Sequence, residues 1–222
     1  MHLKSPLEKS LNRKRALLVI LPLFIGSVIA YLDRVNLAYA ALAMNKDLAF
    51  SSSVFGMGAG IFFAGYVLFE IPGAILAERW SARIWLARIM ISWGIVSSLM
   101  AYVQNEWQFY CLRFLLGATE ASFYPVAYAS VIPRWFTAAE RPRALALMLT
   151  SLPVSAIIGS PMAGWLLTVR VFGLQGWQTL FILEAIPALI FGVVIAFWLK
   201  DWPKDAAWLS DQEKKHLADA YE

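Results

Sequence analysis

Hydrophobic residues are concentrated in six long blocks that short polar segments separate. Each block holds close to, or more than, the roughly 20 residues that a helix needs to cross a bilayer. The pattern therefore predicts an all-α integral membrane protein whose six transmembrane helices form one bundle over residues 16–199. The predicted spans are 16–43, 54–77, 84–103, 109–132, 144–169 and 178–199.

Composition supports a membrane protein and excludes several other classes. Hydrophobic residues make up 60% of the chain and charged residues only 15%, whereas soluble domains average about 25% charged residues. The single cysteine, Cys111, rules out a disulfide within the chain. His2 and His216 lie in the tails, so we predict neither a metal site nor a cofactor. The spans contain no nucleophile with a matching base, so we do not expect an enzyme.

The net charge of +4 reflects membrane orientation, and we expect no nucleic-acid partner. With the N-terminus inside, 14 of the 19 lysines and arginines fall in the tails and inner loops, two lie outside and three lie within spans. This positive-inside bias predicts a multi-pass protein of the cell inner membrane with both termini cytoplasmic.

The two polar ends of the chain frame the bundle. Residues 1–15 form a basic cytoplasmic tail, interpreted as an orientation signal that contacts lipid headgroups. Residues 200–222 form a second cytoplasmic tail, in which Ser210 and Glu213 have the spacing of a helix-capping box.

Small residues on the second span indicate close helix packing. Gly56, Gly58, Gly60 and Gly65 lie within ten residues of each other. Glycines allow the backbones of membrane helices to approach closely. We therefore expect a tight contact on this helix.

Charged residues inside the spans are the candidates for chemistry. Asp33 and Arg34 lie in the first span, and Arg113 and Glu120 lie in the fourth. Both acids fall about 15 Å below the outer ends of their spans, near the bilayer midplane. Such residues face a bundle interior or a water-filled cavity. A buried carboxyl group can bind a proton near neutral pH, and an arginine can hold a carboxylate through two hydrogen bonds. The alternative is a static ion-pair network that locks the helices together.

Three further polar residues could contribute to such a site. Tyr66 lies at mid-depth on the second span and could donate a hydrogen bond to a substrate, or to a backbone carbonyl. Asn36 lies one turn beyond Asp33 and, like Tyr66, could bind a substrate or serve only within the protein. Glu184, early in the sixth span, could simply pair with a neighbour.

One loop carries a recognisable pattern. Residues 74–83 read Ala-Ile-Leu-Ala-Glu-Arg-Trp-Ser-Ala-Arg, which resembles the G-x-L-x-D-R-x-G-x-R loop of the major facilitator superfamily. Alanine and serine stand at the glycine positions and Glu78 replaces the aspartate, while Arg79 and Arg83 match. The resemblance implies that these three charged residues form a conformational latch on the cytoplasmic side.

Further segments resemble the anion:cation symporter branch of that family, particularly the bacterial permeases for tartrate, phthalate and sugar acids. The matching segments are 31–36 (YLDRVN), 44–48 (MNKDL), 60–66 (GIFFAGY), 69–72 (FEIP), 87–91 (ARIMI), 113–117 (RFLLG) and 208–210 (WLS). The resemblance implies that Asp33 and Glu120 carry protons and that Arg34, Arg113 and Tyr66 contact the substrate.

The family has twelve helices in two six-helix halves, and each half is built as a 3+3 repeat. The chain therefore resembles the N-terminal half, with residues 200–222 starting the central loop, and we expect a C-terminal six-helix half as its partner. The predicted function is proton-coupled symport of a small organic anion, such as a sugar acid, dicarboxylate or aromatic carboxylate. A proton-coupled exporter is the alternative, because residues 159–164 resemble an antiporter signature. A third possibility is a non-transporting half that only associates with another transporter chain.

Overall fold

The structure is a computed structural model that describes residues 5–170 and 173–220. Within these ranges the chain is helical and contains no strand. Among the described residues, five helices are long and apolar enough to cross a membrane: Pro6–Leu48, Ser52–Arg79, Ala82–Met100, Arg141–Leu166 and Gly176–Trp198. The helices are α1 (Pro6–Leu48), α2 (Ser52–Arg79), α3 (Ala82–Met100), α4 (Glu106–Glu120), α5 (123–135), α6 (Arg141–Leu166), α7 (Gly176–Trp198) and α8 (Asp211–Asp219).

The fourth predicted span is divided between two helices. Helix α4 ends at Glu120, and the backbone then turns at Ala121 and at Ser122, which has a left-handed φ of 75°. The hydroxyl of Ser122 donates to the carbonyls of Phe69 and Glu70 in α2, at 3.1 and 2.8 Å. The break therefore lies directly after Glu120 and is tied to the neighbouring helix. A count of hydrophobic residues could not reveal it, because the break contains no proline or glycine.

Two π-helical segments accompany prolines. They cover Ala16–Ile20 in α1 and Val126–Val131 in α5. Pro22 and Pro133 lie just beyond them and lack the N–H that would bond to the carbonyl four residues earlier. Each widened turn contains that carbonyl, so the helix continues past the proline with a local change of pitch.

The most extensive helix contacts are α3 with α7 and α2 with α4. At the second of these, a Cβ atom on Gly117 would overlap the backbone of Phe62, and one on Gly65 would overlap the backbone of α4. Gly56 and Gly60 have open space instead. The predicted tight contact on α2 is therefore present, but only some of the four glycines make it.

At one end of the bundle, α8 packs back against the start of α1. Lys14 forms an ion pair with Glu213 at 2.7 Å, and the ring of Trp208 stacks on that of Trp135 at 5.1 Å. The predicted capping box between Ser210 and Glu213 is confirmed.

The basic N-terminal segment also differs from its predicted role at one residue. Arg15 is 2% exposed, donates to the carbonyl of Trp135 at 2.9 Å and pairs with Glu140 at 2.6 Å. The headgroup contact predicted for residues 1–15 is therefore wrong for Arg15, because α1 continues through this segment and buries the side chain beside α5.

Candidate functional site

An ion pair between two helices lies at the centre of the bundle. Arg34 of α1 donates from Nη2 to Oε1 of Glu120, the last residue of α4, at 2.5 Å. Glu120 is 1% exposed, and its second oxygen has no hydrogen-bond partner among the described residues. The break at Ser122 places this carboxylate at the end of a helix, where it can accept a further hydrogen bond or a proton.

Aromatic rings surround the guanidinium of Arg34. Its central carbon lies 5.0 Å from the ring centre of Tyr66, 5.8 Å from that of Phe62 and 5.9 Å from that of Tyr124. These contacts are within cation–π range. The side chain of Arg34 is still 28% exposed, so the rings hold the guanidinium in place while one side of it remains open.

Arg113 occupies a different environment from Arg34. It is 5% exposed, lies 4.5 Å from the ring centre of Phe62, and donates from Nε to the carbonyl of Gly58 at 3.1 Å. Within the described part of the chain, Arg113 forms no salt bridge and its terminal nitrogens donate to no residue. A buried guanidinium with two free terminal nitrogens is suited to bind a carboxylate in the bidentate geometry.

Asp33 lies next to Arg34 in sequence but points to another helix. It is 4% exposed and accepts a hydrogen bond from the hydroxyl of Ser97 in α3. Its other oxygen has no partner among the described residues. Two cations act on it: Arg113 of α4 and the adjacent Arg34 of α1.

Asn36 faces away from the aromatic rings. Its side chain lies against Glu184 of α7, and both residues are buried. Glu184 forms no ion pair with any described residue, so the neighbour expected to pair with it is missing. The structure thus places Asn36 beside Glu184, and not beside Arg34, Arg113 or Tyr66. The substrate contact predicted for these residues remains a prediction.

The three predicted latch residues behave differently from one another. Arg83 lies 3.6 Å from Asp201, which follows α7, and donates to the carbonyl of Ala196 at 3.1 Å. Glu78 and Arg79 are exposed and form no ion pair within residues 5–170 and 173–220. Of the three, Arg83 alone forms an ion pair among the described residues, and the latch role of all three stays a prediction.

Sequence reasoning missed several residues that shape the site. Phe62 and Tyr124 look like ordinary apolar core in a membrane span, and Ser97 is one of several small polar residues on its helix. Their roles depend on which helices meet, which periodicity alone does not determine. Asp201 could have been noticed as an acid immediately after the last span, next to a basic inner face.

A helical bundle with apolar side chains on its outside and a buried ion pair between α1 and α4 has the character of a multi-pass membrane protein. The outward row on α2 illustrates the apolar surface, since Phe63, Val67 and Ile71 are all more than half exposed. The chain belongs to the Major Facilitator Superfamily, whose pattern it matches over residues 23–220.

Two relatives and one solved structure are similar to this chain. A protein of Agrobacterium vitis named "Putative tartrate transporter" is 49% identical over 97% of this chain and 50% of its own length. The "Putative metabolite transport protein NicT" of Pseudomonas putida is 45% identical over 85% of this chain and 44% of its own length. The inward-facing, occupied structure of a bacterial homologue of the human lysosomal transporter Spinster has a TM-score of 0.75 at 19% identity, covering 86% of this chain and 45% of that one.

These comparisons agree on fold and on length. The solved structure shares the helical architecture, and its low identity carries no further inference. The chain spans about half the length of the relatives it matches. Its family and both relatives are named as transporters.

Proposed function

We propose that this chain is the N-terminal half of a proton-coupled symporter for a small organic anion such as a sugar acid or dicarboxylate. The chain supplies Arg34, Arg113 and Tyr66 to the substrate, with Asp33 and Glu120 carrying protons. A second six-helix half supplies the opposite wall of the site. The two halves lie in the inner membrane, with both ends of this chain on the cytoplasmic side.

The single observation that carries the proposal is the state of Arg113. A buried guanidinium normally has an acidic partner, because an unpaired charge in a low-dielectric interior is costly. The acid on its own helix, Glu120, pairs with Arg34 instead. Asp33 acts on Arg113 across the bundle but forms no salt bridge with it among the described residues. A substrate carboxylate bound to the two terminal nitrogens of Arg113 would provide the directly bonded acid.

The arrangement of Glu120 explains how a proton could be coupled to the anion. When Glu120 is ionised, it holds Arg34 through their ion pair. When Glu120 is protonated, that pair weakens and the exposed guanidinium of Arg34 becomes available to the anion. Proton binding and anion binding would therefore favour each other, which is the thermodynamic requirement for symport.

The inner face supports alternating access in this proposal. Rocking of one half against the other needs contacts that form in one state and break in the other. Glu78 and Arg79 are exposed at the end of α2, where the second half can reach them. We assign them to the inter-half contact and assign Arg83 with Asp201 to holding α3 against the segment after α7.

The test uses this chain joined to the second half of the Agrobacterium vitis relative, which we call the completed transporter. Glu120→Gln imitates the protonated acid permanently. We expect this variant to exchange labelled anion for unlabelled anion across vesicle membranes, in counterflow, but not to accumulate it when a pH gradient is imposed. Tartrate is the first anion to try, and Glu106→Gln, at the exposed start of α4, is the matched control.

The outcomes separate the alternatives. Accumulation by Glu120→Gln equal to that of the parent would show that the proton travels by another residue. Accumulation by the parent only when the vesicle interior is more acidic than the outside would indicate exchange of anion for proton, and therefore an exporter. An absence of any exchange by the parent, with several organic acids, would favour a non-transporting half.

A further inference from the structure

A second buried polar cluster lies where α1 meets α7, apart from the rings around Arg34. Glu184 is 6% exposed and lies against Asn36, which is 1% exposed, with Asp33 one turn further along α1. Neither carboxylate oxygen of Glu184 and neither polar atom of the Asn36 amide forms a hydrogen bond with a described residue. Three oxygens and one nitrogen therefore lie inside the bundle without partners.

The helices around Glu184 offer it no cation. α1 contributes Asp33 and Asn36, while its Arg34 pairs with Glu120 and its Lys46 is exposed near the outer end. α3 contributes the hydroxyl of Ser97, which already donates to Asp33. The charged residues of α3 and α6 all lie in the inner halves of those helices: Arg83, Arg88, Arg141 and Arg143. The described residues also contain no group of three or more acids, histidines or cysteines that could hold a metal ion.

The ligand that fits such a site is a proton. An ionised carboxylate buried without a counter-charge costs far more free energy than the neutral acid. A carboxylic acid can then donate its own hydrogen to the carbonyl oxygen of Asn36, which satisfies two of the unpartnered atoms at once.

The depth of Glu184 suggests its place in a proton path. At the outer side, the indole of Trp177 in α7 donates to Asp47 in α1 at 2.9 Å, which sets the two helices at a common level. Measured from there, Glu184 lies about 10 Å deep and Asp33 about 21 Å deep, at 1.5 Å per residue. Glu184 therefore lies between the outer surface and Asp33.

We infer that Glu184 is a further proton-binding residue, which takes up a proton on the outer side and passes it to Asp33 through bridging water molecules, because the two residues differ by about 10 Å in depth. Glu184 becomes a carboxylate as the proton leaves, Asp33 becomes a carboxylic acid, and the amide nitrogen of Asn36 is placed to donate a hydrogen bond to the carboxylate left behind. The inference rests on the proposed proton-coupled function, since a proton path serves no purpose without it.

The first experiment measures protonation without transport. Infrared difference spectra of the 222-residue chain in detergent, recorded between two pH values across a titration, detect carboxylic acids in apolar surroundings. We expect Glu184→Gln to lose one such signal and the control Glu106→Gln to keep all of them. We also expect Asp33→Asn to move the pH at which the Glu184 signal appears, since the two groups exchange a proton.

A second sample covers the case in which Glu184→Gln does not fold. In the chain with both Glu120→Gln and Glu213→Gln, Glu184 is the remaining buried glutamate among the described residues. Isotope-labelled glutamate then shifts the Glu184 band alone among the buried carboxyl signals. A spectrum without a shifted, pH-dependent band would overturn the inference. A Glu184 signal that appears at the same pH with and without Asp33→Asn would overturn it as well.

Transport by the completed transporter then separates this inference from the proposed function. Glu184→Gln should lose accumulation driven by a pH gradient and retain counterflow. A parent that shows no gradient-driven accumulation refutes the proposed function, whatever the infrared result. A parent that accumulates anion, together with a Glu184→Gln variant that accumulates it equally well, refutes the role of Glu184 alone.

Discussion

The guanidinium of Arg113 uses one nitrogen for a backbone carbonyl and leaves two for a ligand. Arg34, by contrast, is held by both an acid and three rings. In the proposed function the two arginines therefore have different tasks: Arg113 would offer a permanent anion site, and Arg34 would offer one that depends on the state of Glu120.

Replacing Arg113 by lysine should weaken anion binding while keeping the positive charge. An ammonium group cannot form two parallel hydrogen bonds to a carboxylate, and a lost charge-assisted hydrogen bond costs roughly 1.5–3 kcal/mol. We expect the apparent affinity of the completed transporter for tartrate, or for the anion it carries, to fall by about tenfold or more. Arg88→Lys, on the inner half of α3, is the control. Equal affinities in the two variants would show that Arg113 has only a structural role.

Sequence could identify the charged residues of the site but not how they pair. Asp33, Arg34, Arg113 and Glu120 stand out because charges are rare in apolar spans. Helical spacing places Arg113 and Glu120 on one face of the same helix, which favours an interaction between them. The structure pairs Glu120 with Arg34 because the contact between α1 and α4 decides which side chains meet, and a single sequence does not encode that contact locally.

At the scale of elements, the contact between α2 and α4 positions most of the site. α2 carries Phe62 and Tyr66, and α4 carries Arg113 and Glu120. The close approach at Gly117 and the hydrogen bonds from Ser122 fix the two helices against each other. The geometry of the aromatic and charged groups therefore depends on residues that touch no substrate.

Gly117→Ala should push α2 and α4 apart, because its methyl group would overlap the backbone of Phe62, which cannot move aside as a side chain can. Overpacking typically costs about 1–3 kcal/mol, against a gain of up to about 1 kcal/mol in helix propensity. We expect a lower thermal unfolding temperature in detergent. Gly60→Ala, on α2 and facing open space, should leave that temperature unchanged or slightly higher. A stable Gly117→Ala chain would mean that the helices have room to separate.

The docking of α8 provides a pH-dependent contact outside the membrane. Burial opposes the charge of Glu213, but hydrogen bonds from Lys14, from the backbone of Ser210 and from Ser10 outweigh it and lower the pKa of Glu213 to about 2. An unfolded glutamate has a pKa of about 4.3. The stabilisation is therefore complete above about pH 4.3 and is lost as the pH falls towards 2.

We expect acidification from about pH 5 to pH 2 to release α8 from the start of α1. The stacked rings of Trp135 and Trp208 report this release, since their near-ultraviolet circular dichroism disappears when they separate. Subtracting the spectrum of Trp208→Phe isolates that signal. Glu213→Gln should show a weakened signal at neutral pH and little further change on acidification. A parent signal that is constant down to pH 2 would contradict the assignment to Glu213.

At the scale of the whole molecule, the sequence was sufficient for the class and for most of the helices. Long apolar blocks have few alternative structures, since a backbone in hydrocarbon must satisfy its own hydrogen bonds. The exception is the region 109–132, where the turn at Ser122 divides one apolar block into α4 and α5. Its cause is tertiary, namely the hydrogen bonds that Ser122 makes to α2, so hydropathy gave no sign of it.

The open side of the site leads to the last prediction, which concerns the 222-residue chain by itself. Arg34 is 28% exposed within an otherwise buried cluster, and the relatives are about twice as long as this chain. Alternating access requires a second repeat or bundle against which the first can rock. We expect the chain alone in liposomes to bind an anion weakly at most and to show no saturable uptake above empty vesicles.

The completed transporter, reconstituted at the same protein-to-lipid ratio, is the positive control for that measurement. Uptake by the completed transporter would show that the conditions support transport. An absence of uptake by the 222-residue chain would then reflect the missing wall of the site. Saturable uptake by the chain alone would contradict the prediction. It would mean that a second copy of this chain can serve as the opposite half, and crosslinking through the exposed Cys111 would then be expected to capture a dimer in the active vesicles.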